Sequence, residues 1–170
     1  MKILKKTESI EWAIEALDDI PGIGRQSAER ILAETGVEME HFQNESRFSS
    51  WAGLVPECKE SAGKKMSTRI RKGNKHLKTT LVECARSAIR NKQSYLHSRY
   101  QRIAARRGGK RALVAIAHTI LIIIYHILKE KTKYKDLGND YYIVQNQERL
   151  IQKNIQSLEK LGVKIAVQPC

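Results

Sequence analysis

Apolar residues recur every three or four positions along most of this chain, and that spacing restricts the fold more than any other feature. The first such stretch carries Ile10, Ala13, Ile14 and Leu17. The spacing places an apolar stripe on one face of a helix. Glycine (10) and proline (3) are scarce among the 170 residues, which disfavours the many tight turns of sandwiches and barrels. The sequence therefore predicts an all-α, multi-helix fold, with one domain or one domain and an appendage.

Further helices are predicted wherever the periodicity returns. They cover residues 25–35, 47–52, 74–91, 95–106, 112–128 and 146–161. Residues 134–142 predict a turn around Gly138-Asn139, and residues 163–167 predict a short C-terminal strand or a segment that packs onto the domain. The run 112–128 is almost unbroken apolar sequence, yet it is shorter than the roughly 20 residues that span a bilayer, so it predicts a central core helix.

Positive charge gives the first indication of function. The chain has 31 Lys and Arg against 18 Asp and Glu, a net charge of +13 and a pI near 9.8. A surplus of this size favours a polyanionic partner, nucleic acid before an acidic membrane surface. Aromatic residues make up only 6%, which disfavours a protein that binds single strands by base stacking.

The cysteines and histidines do not indicate a metal site. Cys58, Cys84 and Cys170 lie far apart without a CxxC pair, and the five histidines form no cluster with ligand spacing. We therefore expect no metal site built by this chain alone, and a reducing compartment. The basic start has no apolar segment after it, so we expect a cytoplasmic protein rather than a secreted one.

The segment Ile20-Pro21-Gly22-Ile23-Gly24 separates the first two helices and predicts the hairpin of a helix–hairpin–helix unit. Proline fixes one φ angle, and we expect the glycines to allow a sharp reversal with positive φ. Gly24 would leave the N–H groups that begin the next helix unobstructed. With the helix dipole, and with Arg25 beside them, these donors form an anion site suited to a DNA phosphate. An ordinary turn between two helices is the alternative.

The second candidate site is the segment 55–73, where periodicity disappears. It predicts a long basic loop, with or without a small hairpin, and long irregular segments in compact domains are often functional. Cations crowd this loop and the start of the next helix: Lys59, Lys64, Lys65, Arg69, Arg71, Lys72, Lys75 and Lys78. Each one that neutralises a phosphate releases counterions, so DNA binding should weaken steeply with salt.

Small hydroxyl residues lie among these cations, Ser61 foremost. A serine attacks a phosphodiester usefully only if a base removes its proton and cations stabilise the pentacovalent transition state. Lysine and arginine can stabilise that state, but no residue nearby in sequence clearly acts as the base. The spacing alone therefore leaves Ser61 as a hypothesis.

Four motifs in a fixed order carry a family resemblance. They are Ile20-Pro-Gly-Ile-Gly24, Phe48-Ser-Ser-Trp-Ala-Gly-Leu-Val-Pro56, Glu60-Ser-Ala-Gly-Lys64 and Arg71-Lys-Gly-Asn74. With the later Tyr134-Lys-Asp-Leu-Gly-Asn-Asp-Tyr141 and Leu161-Gly-Val-Lys-Ile165, this order resembles the C-terminal domain of the IS-one-ten family of insertion-sequence transposases. These are DEDD-type enzymes related to the pilin-gene invertases and are also called bridge recombinases. The resemblance covers nearly the whole chain from about Leu17 onward.

The resemblance implies a mechanism and partners. Ser61 matches the family's serine, and by that resemblance it attacks a DNA phosphate to form a transient phosphoserine link, so no nucleotide cofactor is needed. The DNA-binding residues are then expected to be Gly22, Gly24, Arg25, Lys64, Lys65, Arg69, Arg71, Lys72 and Lys75. The family pairs this domain with an N-terminal RuvC-like domain whose four acidic residues bind divalent metal, expected to be Mg²⁺. Some members use a structured guide (bridge) RNA, and members assemble as oligomers.

We expect this chain to depart from the family pattern by lacking the RuvC-like half, as in a fragment of a disrupted gene or in a protein made of two polypeptides. We expect residues 1–19 to be the end of a connecting helix, 20–131 the transposase C-terminal domain and 132–170 a helical extension. The expected protein is a bacterial, nucleoid-associated transposase or site-specific recombinase domain that binds DNA, is not bound to a membrane and is inactive alone. The alternatives are a non-catalytic helix–hairpin–helix DNA-binding module and a small membrane-associated protein anchored by residues 112–128.

Overall fold

The computed structural model describes residues 2–56, 59–61, 64–67, 70 and 72–161, with residues 2–6 and the two strands given by their backbone alone. Within these ranges the chain forms seven helices and one antiparallel pair of strands. The helices are α1 (Lys2–Asp18), α2 (Arg25–Thr35), α3 (Glu45–Ala52), α4 (Lys75–Ala88), α5 (Tyr95–Arg107), α6 (Gly109–Glu130) and α7 (Tyr141–Lys160). The strands are β1 (Lys59–Ser61) and β2 (Lys64–Ser67). The predicted all-α class is confirmed, and the segment after α3 contains the small hairpin. The predicted C-terminal strand at residues 163–167 lies outside the described residues.

Helix α6 is the centre of the core. Its buried side chains follow the helical period and include Ile116, Ile120, Leu121 and Ile124. Helices α1, α3, α4 and α5 all pack against it. Complete burial of each such side chain stabilises the fold by about 1.5–3 kcal/mol. In the described ranges α6 is also the one helix long and apolar enough to cross a membrane, but half of its apolar window lies inside the protein. The predicted core helix is therefore confirmed.

Helix α1 belongs to the same core through its C-terminal half. Ala13, Ala16 and Leu17 are buried, and the helix packs along α2, whose inner face carries Ala28 and Ile31. The apolar spacing that predicted these two helices therefore also identified the faces that meet.

Three helices begin with a side chain that accepts a backbone N–H. Asn44 caps α3, Asn74 caps α4 and Ser94 caps α5. Each cap satisfies one of the N–H groups that a helix start leaves without an internal partner, and contributes about 1 kcal/mol. The caps explain why these helices begin within two residues of the predicted starts.

Helix α7 begins earlier than predicted. The sequence places its start at Asn146 and a turn over residues 134–142, but the helix starts at Tyr141. Tyr141 packs edge-on against Tyr95 with ring centroids 5.2 Å apart, and Tyr142 stacks on the same ring at 5.7 Å. These aromatic contacts with α5 hold the first turn of α7, and they leave no trace in the apolar periodicity of α7 itself.

Candidate nucleic-acid interface

The segment between α3 and α4 is an arm, defined here as residues 54–72, that is closed at its base by two glycines. A Cβ atom added to Gly73 would lie within 3.0 Å of three backbone atoms of Ala52 and Gly53, so only glycine fits there. Gly53 ends α3 in the left-handed region with φ 71°. We call this Gly53–Gly73 contact the neck. It explains physically why both motifs, Trp51-Ala-Gly53 and Lys72-Gly-Asn74, carry a glycine.

Beyond the neck the two sides of the arm pair as antiparallel strands. Pro56 and Ile70 form an isolated bridge, and further out β1 pairs with β2. The Cα of Ser61 is paired with that of Lys64, and the Cα of Glu60 with that of Lys65. Ser61 therefore ends β1, and two residues separate it from the start of β2.

Part of the predicted site falls outside what the structure describes. Arg69 and Arg71 lie outside the described residues, and Ser61, Lys64 and Lys65 are described by their backbone only. Their predicted roles stay predictions. Lys72 and Lys75 are described, are exposed and make no ion pair with any other described residue. Both are therefore free to meet an anion at the base of the arm.

Asn74 fixes the start of α4 beside these two lysines. Its Oδ1 accepts the N–H of Leu77 at 3.0 Å, and its Nδ2 donates to Glu34 of α2 at 2.6 Å. Its own N–H donates to the carbonyl of Trp51 at 3.3 Å. One residue thus connects α4 to α2 and to α3, and holds the base of the arm in a defined position.

The prediction of positive φ in the turn between α1 and α2 is correct for Gly22 and wrong for Gly24. Gly22 has φ +89°, as predicted, and it lies against the backbone of Cys84 and Ala88 in α4. The expectation of positive φ at Gly24 is wrong: its φ is −107° and its ψ is 167°, which any residue can adopt. Gly24 precedes α2 without a side-chain cap, and nothing lies within 4 Å of the place its Cβ would take. The start of α2 is open, although Gly24 is not needed there for its conformation.

Arg25, the cation expected to bind DNA at this turn, already has acidic partners. Its Nη2 donates to both carboxylate oxygens of Glu11, at 2.8 and 3.1 Å, and its Nε lies 3.3 Å from Glu29. The hydrogen bond that Arg25 donates to Glu11, followed by the charge of that carboxylate, raises the pKa of Arg25. Arg25 therefore connects α1 to α2, and its charge is largely balanced in place.

The two predicted parts of the interface are not brought together. Gly22 touches the last turn of α4, whereas the neck and Lys75 lie at the first. A helix of 14 residues is about 20 Å long, and this length separates the two parts. Two exposed lysines without an ion pair among the described residues, Lys72 and Lys75, lie at the end of α4 that carries the arm.

Sequence reasoning missed another basic segment at that end. Residues 106–111, which we call the basic turn, read Arg-Arg-Gly-Gly-Lys-Arg and join α5 to α6. All six residues are exposed. The signal in the sequence is four cations around the pair Gly108-Gly109.

Comparison with known proteins places the chain among the transposases. A model of the transposase IS116/IS110/IS902 family matches residues 14–101, just over half of the chain. The chain belongs to this family, which confirms the resemblance drawn from its motifs, and its function is transposase-related. The match includes the turn at Gly22, the neck and the whole arm, and it ends before the basic turn. No curated protein matches the chain significantly.

Proposed function

We propose that this chain is the DNA-binding and serine-supplying part of a transposase that mobilises an insertion sequence through a phosphoserine–DNA intermediate. The observation that carries the proposal is the position of Ser61. It lies inside the family-matched residues, at the outer end of β1, with its Cα paired with that of Lys64. A hydroxyl residue at the end of a cationic arm, held by a rigid neck, suits attack on a phosphate of bound DNA.

The proposed step exchanges one phosphodiester for another. The Oγ of Ser61 forms a bond to phosphorus while the bond from phosphorus to a deoxyribose oxygen breaks. The hydroxyl proton passes to a base, and the released sugar oxygen takes up a proton. Because the number of phosphodiester bonds is unchanged, rejoining to another strand requires no nucleotide. The arm's cations would stabilise the charge that develops on the phosphate.

In this proposal the general base and the metal ion belong to the RuvC-like domain and not to this chain. Among the described residues no three His, Cys, Asp or Glu side chains come together as metal ligands. The family resemblance assigns divalent metal to the RuvC-like domain, where it would supply charge stabilisation when bound. This chain would bind and orient the DNA and provide the nucleophile. Guide RNA and assembly with further copies are also proposed on the resemblance.

DNA binding is proposed to centre on the base of the arm. Lys72 and Lys75 are exposed and unpaired within the described chain, whereas Arg25 already pairs with Glu11 and Glu29. The open start of α2 at Gly24 can still donate N–H groups to a phosphate. We propose that the helix–hairpin–helix turn makes a weaker backbone contact than the arm does.

Substitution of Ser61 tests the nucleophile. With a RuvC-like domain and Mg²⁺ supplied, Ser61→Ala should abolish the denaturation-resistant protein–DNA adduct and leave DNA affinity unchanged. Ser67→Ala, in the second strand of the same hairpin, is the matched control and should retain the adduct. An equal adduct yield in Ser61→Ala would overturn the nucleophile and favour a non-catalytic DNA-binding module.

A salt titration tests DNA binding by the arm. In Lys64→Ala/Lys65→Ala, the slope of log association constant against log salt concentration should become shallower by about two units, one for each lost phosphate contact. The control is Lys133→Ala/Lys135→Ala, which removes the same charge from two exposed lysines beyond the opposite end of α6. Identical slopes in the arm variant and the control would remove the arm from the interface.

A further inference from the structure

We propose that the basic turn is a second contact for the phosphate backbone of the DNA duplex that the arm binds. The inference rests on the proposed function and extends the interface beyond the family-matched residues 14–101. The basic turn carries Arg106, Arg107, Lys110 and Arg111. None of these four cations makes an ion pair with a described residue.

Gly108 makes the turn so tight that α6 begins immediately after α5 ends. With φ +81°, it ends α5 by donating its N–H to the carbonyl of Ala104 at 2.9 Å. Its own carbonyl accepts the N–H of Ala112 at 3.1 Å, which begins α6. One glycine thus ends one helix and starts the next, and α5 and α6 pack side by side from this point.

The two pairs of cations differ in how they interact with the dipole of their own helix. Arg106 and Arg107 lie at the negative end of α5, where cations stabilise a helix. Lys110 and Arg111 lie at the positive end of α6, where cations are unfavourable. The first turn of α6 has no acidic residue, and its start has no side-chain cap. Helix stability therefore explains why α5 ends with two arginines, but it does not explain why α6 begins with Lys110 and Arg111. An external anion would be attracted by all four charges and by the free N–H groups at the start of α6.

The basic turn lies at the same end of the molecule as the arm. Val114 of α6 borders a groove of about 290 Å³ together with Ile70 of the arm and Lys78 of α4. Lys110 and Arg111 precede Val114 by four and three residues, so they share its face of α6, about 5–6 Å further along the axis. Arg86 also borders the groove, as does one acid, Glu83. The arm therefore borders a groove, largely apolar but with Lys78 and Arg86 at its edge, and the basic turn lies about one helical turn beyond it.

The chemistry of the basic turn fits a duplex backbone better than single-stranded nucleic acid. Residues 106–111 contain cations and glycines but no aromatic side chain on which an unpaired base could stack. Contacts made by lysine and arginine to phosphates carry no base specificity. The basic turn would therefore strengthen and orient binding, while any sequence preference would arise elsewhere.

Salt-dependent DNA binding tests the inference. The probe is a fluorescein-labelled DNA duplex about three helical turns long, titrated by fluorescence anisotropy at a series of KCl concentrations. Lys110→Ala/Arg111→Ala should make the salt slope shallower by about two units, whereas the charge-matched Lys133→Ala/Lys135→Ala should leave it unchanged. The charge-conserving exchange Lys110→Arg/Arg111→Lys should keep the wild-type slope. Circular dichroism should show the same helix content in every variant.

The possible outcomes distinguish this inference from the proposed function. If the arm variant Lys64→Ala/Lys65→Ala lowers the slope but Lys110→Ala/Arg111→Ala behaves like the control, the inference about the basic turn is overturned and the proposed function stands. If the wild-type chain shows no salt-dependent DNA binding, the proposed function fails and the inference fails with it. A shallower salt slope in Lys110→Ala/Arg111→Ala, together with the wild-type slope in Lys110→Arg/Arg111→Lys, supports the basic turn as a second DNA contact.

Discussion

Gly22 offers the sharpest test of how the helices around the candidate site are assembled. Its φ of +89° lies in the left-handed region, and its Cα faces the last turn of α4. A Cβ atom there would lie 2.8 Å from the Cα of Ala88 and closer still to the nitrogen of Ala88 and the carbonyl oxygen of Cys84. All three are backbone atoms, so they cannot move aside without shifting α4 away from the turn.

The expected effect of Gly22→Ala has two parts. An alanine in the left-handed region costs about 1–2 kcal/mol. Forcing a methyl group into closely packed backbone costs about 1–3 kcal/mol more. Together these give a loss of about 2–5 kcal/mol, which is a large share of the roughly 5–15 kcal/mol that stabilises a typical domain.

Substitutions of two neighbouring glycines serve as comparisons, and the free energy of unfolding of each variant is measured by urea unfolding followed by circular dichroism. Gly36 also has positive φ, 71°, but with ψ −179° and open space around it, so Gly36→Ala should lose only the cost of that backbone conformation, about 1–3 kcal/mol, and no packing cost. Gly24 has neither constraint, but it is the N-cap of α2, where alanine is less favourable than glycine, so Gly24→Ala should lose about 1 kcal/mol. If Gly22→Ala is no less stable than Gly36→Ala, the close approach of this turn to α4 is refuted.

Three further predictions concern single side chains, and urea unfolding measures each of them. Asn74→Ala removes both the cap of α4 and the hydrogen bond to Glu34 and should destabilise the domain by about 1 kcal/mol or more, whereas Asn74→Ser loses only the bond to Glu34 and should be the more stable of the two; equal losses would contradict the capping role. His126 donates hydrogen bonds to Glu130 and Glu45, and these bonds raise the pKa of His126 above its ordinary value of 6.5. The stability they provide should therefore be complete just below pH 6.5 and be lost as the pH rises through the raised value. His126→Gln should remove this pH dependence, which is below about 1 kcal/mol because the side chains are half exposed. Ser49 is buried, and its hydroxyl has no hydrogen-bond partner among the described residues, so Ser49→Ala should be neutral or stabilising by up to about 1 kcal/mol; a clear loss of stability would reveal a partner for that hydroxyl.

Helix periodicity was sufficient to predict most of the fold. The bounds of α2 were predicted without error, and the apolar stripe of α6 correctly identified the central helix. Both results depend on local spacing, because each helix buries the face that its own sequence marks. The start of α7 was not predictable in this way, because Tyr141 and Tyr142 are held by Tyr95 on α5, more than 40 residues away.

The candidate site was predictable only in part, for a related reason. The sequence alone does not reveal whether a glycine is needed for a positive φ angle or for close contact between two backbone segments. Gly22 serves both, Gly24 serves neither, and Gly73 is required by its contact with the α3 end. Likewise, the charge of Arg25 indicated a DNA contact, but its pairing with Glu11 depends on how α1 packs along α2. Relations between helices of this kind appear only once the core is assembled.

The neck has a consequence for how this segment can vary. Because Gly53 and Gly73 meet backbone to backbone, the ends of α3 and α4 are fixed to each other whatever lies between them. Lengthening or shortening the tip of the hairpin would leave the hydrophobic interior untouched. The residues between Pro56 and Ile70 can therefore vary in length, and a graft that replaces residues 57–69 with the hairpin of another transposase, and so keeps the buried Leu54, should leave the thermal unfolding midpoint of the domain unaltered.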